Sequence, residues 1–139
     1  MTGKLGCLVL LVVASALLTG CRKDAEVNAT LAEVNSFTNE LVERISAAPN
    51  PTTGVDDAQQ YLDSRKVEIK AKAAYLARVR GIQVGDETER KLIETVRRDQ
   101  MTVVSLQSQS KYMNLSMSDA AFKTKLDKLV NDYLNLFQT

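Results

Sequence analysis

Residues 53–81 read TGVDDAQQYLDSRKVEIKAKAAYLARVRG, and this run decides the fold class. Between Gly54 and Gly81 it holds no glycine or proline, and it is rich in Ala, Leu, Lys, Arg and Gln, which enter a helix at little cost. Val55, Ala58, Leu62, Ile69, Ala73, Leu76 and Val79 recur at spacings that put them on one helical face. The run predicts a helix from Thr53 or Gly54 to Arg80. Asp56 and Asp57 are then expected in its positively polarised first turn, with Arg78 and Arg80 at its negative end and Gly81 as a left-handed cap.

The same reading extends in both directions. Upstream, Ala48-Pro49-Asn50-Pro51-Thr52-Thr53-Gly54 must break a helix, because proline lacks an N–H donor and restricts the residue before it. Before this break, Asp24 to Ala47 carries Val27, Leu31, Val34, Leu41 and Ile45 in one stripe with Phe37 beside it, which predicts another helix. Downstream, a third helix is expected to open at Asp86, with Leu92, Ile93, Val96, Val103, Val104, Leu106 and Met113 as its apolar positions. Its second half is polar, with Gln100, Gln107, Gln109 and serines from Ser105 to Ser118. A fourth helix is predicted with Ser118 as N-cap, Met117 and Phe122 as a hydrophobic staple, and Phe122, Leu126, Leu129, Tyr133 and Leu136 as its face.

Four helices joined by short loops make an all-α domain, expected as an antiparallel up-down four-helix bundle. The alternative is a helical hairpin that completes its core by dimerisation, since the same seams serve either arrangement.

The N-terminus has a different character. Lys4 precedes an apolar run from Leu5 to Leu18, too short to span a hydrocarbon core of roughly 30 Å and typical of a secretory signal. It ends in Leu18-Thr19-Gly20-Cys21, which resembles the lipobox of bacterial lipoproteins. The resemblance implies that residues 1–20 are a signal peptide cleaved before Cys21, that Cys21 carries a diacylglyceryl thioether and usually an acylated amine, and that residues 21–139 form a lipid-anchored domain. Because Arg22 rather than an aspartate follows Cys21, the resemblance favours an outer-membrane protein facing the periplasm. Several acyl chains on one residue hold far more firmly than a single myristoyl group, so the membrane is the first expected partner.

Without residues 1–20 the acidic and basic side chains balance, because Lys4 is the one charged residue removed from 18 Lys+Arg and 17 Asp+Glu. That balance argues against nucleic-acid binding. The chain has no histidine, and of its two cysteines Cys7 lies in the signal and Cys21 is the acylation site. The commonest general base, a free thiol and His/Cys metal sites are therefore missing, so no enzyme, cofactor or metal is expected. The aspartates at 56 and 57 and the acids at 86, 87 and 89 read as helix-start chemistry.

Two patterns remain. A basic run, with Arg65, Lys66 and Lys70 as candidate partner-binding residues and Lys72, Arg78 and Arg80 beyond, runs along the second helix. Tyr61, Tyr75, Tyr112 and Tyr133 are expected either at an interface or filling the edge of the core. The leading functional expectation is an envelope lipoprotein that presents a helical surface to a protein partner, with a homodimer as one form of that contact. The alternative is a small-ligand or lipid carrier with a cavity inside the bundle.

Overall fold

The computed structural model describes residues 23–81 and 83–138, so Leu18, Thr19, Gly20 and Cys21 lie outside the described residues. Within them the fold is all-α, with no strand. Helix α1 spans Asp24–Ala47, α2 Pro51–Val79, α3 Asp86–Val104, α4 Ser110–Ser118 and α5 Ala120–Asn135, and a 3-10 turn at Ser105–Ser108 joins α3 to α4.

The ends follow local chemistry. Helix α2 starts at Pro51, earlier than the predicted Thr53 or Gly54, because the Asn50 side chain accepts hydrogen bonds from the Thr52 and Thr53 amides at 2.8 and 3.4 Å. Proline then occupies the first helical position, where its missing N–H costs nothing. Asp56 and Asp57 fall one turn later than expected, beyond the first turn. Gly54 is buried against the end of α1, where a Cβ would lie 2.8 Å from the Ile45 carbonyl oxygen. Gly81 has φ +77°, the left-handed conformation expected of it.

The predicted third helix does not continue through Ser118. Ser105 and Ser108 turn their hydroxyls back onto the Thr102 and Ser105 carbonyls at 2.8 and 3.0 Å, competing with the helical ladder, and Gln109 is extended. The last helix is capped by Asp119, not Ser118: its carboxylate accepts from the Ala121 and Phe122 amides at 2.9 and 3.0 Å. Ser118 spends its hydroxyl on carbonyls of α4, and Met117 is 81% exposed, so the expected staple does not form.

Helix directions follow from cross-helix bonds. Arg44–Asp57, Glu40–Tyr61 and Glu33–Lys72 zip α1 and α2 antiparallel. Asp24 bonds the Gly85 amide and Asn35 accepts from Arg98, so α1 and α3 run parallel. Asp56–Lys125 and Gln59–Asp132 make α2 and α5 parallel, while Gln107–Asp127 links the 3-10 turn after α3 to the first half of α5. Helix α1 thus lies against α2 and α3, and α5 against α2, α3 and α4. The expectation that each helix neighbours its successor holds for α1 and α2. It fails for α2 and α3, which lie diagonally across the core: each packs on α1 and on α5, and Leu76 and Val79 meet Leu92 in the interior.

Two apolar clusters fill the interior. One holds Phe37, Leu41, Leu62, Leu106, Phe122 and Leu126 with their neighbours, and the other holds Val27, Leu31, Val34, Leu76, Val79 and Leu92. Phe137 packs against both.

Candidate functional site

The structure divides the basic run of α2. Arg65 is held within the molecule: its guanidinium pairs with Glu68 at 2.8 Å and reaches the Tyr61 hydroxyl at 3.4 Å. Lys72 completes this chain of charges, bonding Glu68 at 2.9 Å and Glu33 of α1. Arg65 and Lys72 together hold the Glu68 carboxyl down at about 2. Lys66 and Lys70 point elsewhere on the helix, are exposed and make no ion pair among the described residues. The three residues singled out from sequence are therefore not one patch.

Helices α1 and α2 flank an open groove of about 930 Å³, lined by Glu40, Glu43, Arg44, Asp56 and Asp57 among others. Arg44 is the organising residue. It bonds Glu40 at 2.8 Å and Asp57 at 3.1 Å, and its guanidinium lies 4.3 Å from the Tyr61 ring centre. Arg44 and then the Tyr61 hydroxyl keep the Glu40 carboxyl below its usual range. Tyr61 stacks on buried Phe37 at 5.3 Å, which ties this surface to the core.

A second groove, of about 430 Å³, lies between α4 and α5 and is lined by Gln107, Met113, Ser116, Met117, Lys123, Leu126 and Asp127. Met113 and Met117 are one helical turn apart and are 44% and 81% exposed. Helix α4 is held down mainly by buried Tyr112, whose ring stacks with Phe122 at 6.3 Å. Methionine placed this way offers a flexible, polarisable apolar surface. The sequence reading took Met113 as part of a core stripe, and the break at Ser105–Ser108 turned it outward.

Sequence reasoning missed one group altogether. Asp99 of α3 is 2% exposed, and its Oδ2 has no hydrogen-bond partner among the described residues. Exposed Arg98 approaches it only to 3.8 Å. Burial pushes its carboxyl up to about 6, against the pull of Arg98. The Asp99 charge also reaches Tyr133, whose phenol is raised chiefly by its own burial and whose hydroxyl meets the Thr38 hydroxyl at 2.7 Å. The signal was available: Thr88, Leu92, Thr95, Asp99, Val103 and Leu106 are spaced by three and four, and all six are buried.

The tyrosines divide as well. Tyr112 and Tyr133 are buried in the core, while Tyr61 and Tyr75 are half-buried at helix seams. Among the described residues no three His, Cys, Asp or Glu side chains gather as a metal site. No helix among them is long and apolar enough to cross a membrane.

No protein-family model, no curated protein and no solved structure matches this chain.

Proposed function

We propose that the chain is an envelope lipoprotein whose domain, tethered through Cys21, offers the methionine-lined groove between α4 and α5 to a protein partner. In this reading residues 1–20 are an export signal and the protein faces the periplasm from the outer membrane. The helices close as a four-helix bundle of α1, α2, α3 and α5, with α4 as a short appended helix. Leu18-Thr19-Gly20-Cys21 after the apolar run supports the anchor.

The observation that carries the partner-binding part is the outward pair Met113 and Met117 beside Leu126. Large exposed apolar side chains gathered at one groove mark interaction surfaces more often than isolated ones do. A carrier would need a sizeable internal cavity. Among the described residues, the hollow between α2, α3 and Phe137, lined by Leu76, Leu92 and Val96 with Arg80 and Gln100, measures about 160 Å³, against roughly 300 Å³ or more for common ligand pockets, which favours the surface reading.

Photo-crosslinking residues at position 113 or 117, with position 67 as an exposed control, test the surface in cells. Protein adducts from 113 and 117 but not from 67 are expected. Equal adducts from all three sites refute the groove as the binding surface, and lipid or small-molecule adducts return the carrier reading. Replacement of Cys21 by serine is expected to abolish labelling with radioactive palmitate; unchanged labelling refutes the anchor.

A further inference from the structure

We infer that the domain stands end-on at the lipid surface, with the start of α1 and the 80–85 turn facing the membrane and the methionine groove facing away from it. This rests on the proposed acylation of Cys21 and adds the identity of the surface that the lipid headgroups meet.

The orientation follows from where the first described residues are fastened. The Lys23 amide bonds the Gln83 carbonyl at 2.9 Å, and the Asp24 carboxylate accepts from the Gly85 amide at 2.9 Å. Both bonds join the start of α1 to the turn between α2 and α3. Lys23 follows the acylated residue by two positions, and two extended residues reach only about 7 Å. So short a tether holds the 80–85 turn within a headgroup layer's reach of the bilayer. The charge at this end is mixed: Lys23, Arg78 and Arg80 stand with the first-turn acids Asp24, Glu26, Asp86, Glu87 and Glu89, and Arg80 approaches Glu89 to 3.8 Å.

The rest of the domain is then carried outward. Twenty-four residues of α1 rise about 35 Å, which sets Pro49 and Asn50 far from the membrane. The groove lies near the same far end, because α5 begins there: Lys125 pairs with Asp56, close to the start of α2, at 2.7 Å. Met113, Met117 and the groove between α1 and α2 are thereby presented to the aqueous side.

The chain contains no tryptophan, so one introduced indole reports a single site. The full chain, processed in bacteria and purified with its lipid, is reconstituted into phosphatidylcholine vesicles carrying dansyl headgroups. Variants Gln83→Trp, Asn50→Trp and Met117→Trp are compared by energy transfer, with circular dichroism to establish folding. Severalfold greater transfer from position 83 than from 50 or 117 is expected. Equal transfer from the three, as for a domain lying on its side or tumbling freely, overturns the orientation, and so does greater transfer from 50 or 117. The mass of the N-terminal peptide is measured on the same preparation. An unmodified Cys21 refutes the anchor itself, whereas an acylated Cys21 with equal transfer refutes only the orientation.

Discussion

Replacing Asp99 by asparagine removes a buried charge while keeping the side chain's shape, and the consequence depends on pH. The carboxyl titrates near 3.8 when solvated and is pushed up to about 6 in the folded chain. The folded state therefore binds this proton more tightly than the unfolded state. Its contribution to stability is fully present below about 3.8 and is lost as pH rises to about 6. The shift is about two pH units, each equivalent to 1.36 kcal/mol, so the loss is about 3 kcal/mol. Urea unfolding of the wild type and Asp99→Asn is compared at pH 4 and pH 7.5. The asparagine adds its own amide, which alters the absolute stability at both pH values, so the decisive quantity is the change in the difference between the two proteins. That difference is expected to move by about 2 to 3 kcal/mol in favour of the variant between the two pH values. Other carboxylates, such as Glu68, titrate in both proteins and cancel. A difference that stays constant across this range refutes the desolvated carboxyl.

Two further outcomes test the packing. Thr38→Val strips the buried Tyr133 hydroxyl of its partner at 2.7 Å and is expected to cost about 1 to 3 kcal/mol in urea unfolding, with part of the loss recovered on adding Tyr133→Phe. Gly54→Ala gains up to about 1 kcal/mol of helix propensity, but it drives a Cβ to 2.8 Å from the Ile45 carbonyl oxygen. Because the obstacle is backbone, a net loss of about 1 to 2 kcal/mol is expected, measured as a lower unfolding midpoint.

Most of the helix faces could be read without the structure. The stripes assigned to α1, α2 and α5 are buried throughout: Val27, Leu31, Val34, Leu41 and Ile45; Val55, Leu62, Ile69 and Leu76; Phe122, Leu126, Leu129, Tyr133 and Leu136. They were legible because a half-buried helix must repeat its apolar residues every three or four positions. Helix α3 defeated the same rule. Three of its buried positions are Thr88, Thr95 and Asp99, so hydrophobicity pointed instead to Ile93, which is 39% exposed. Periodicity still located the face, although residue type did not. The candidate surface was harder, because a run of cations says nothing about which carboxylates lie across from it. Arg65 looked equivalent to Lys66 and Lys70 until α1 brought Glu40 and Glu33 beside the Tyr61, Glu68 and Lys72 side of α2.

The misread neighbour relation matters more for function than the misplaced caps. A third helix packed beside α2, with α1 across the diagonal, would hold its first residues away from the start of α1. Because α3 instead packs directly against α1 and runs parallel to it, the first residues of both helices meet, and Asp24 and Lys23 can bond the turn that leads into α3. One end of the domain thereby gathers the proposed tether and the 80–85 turn, and the serine-rich break in α3 leaves Met113 and Met117 exposed toward the other. On this view the helix-breaking chemistry of Ser105 and Ser108 serves the proposed contact: a continuous helix through Ser118 would extend beyond α5 and could not fold α4 back to form the groove.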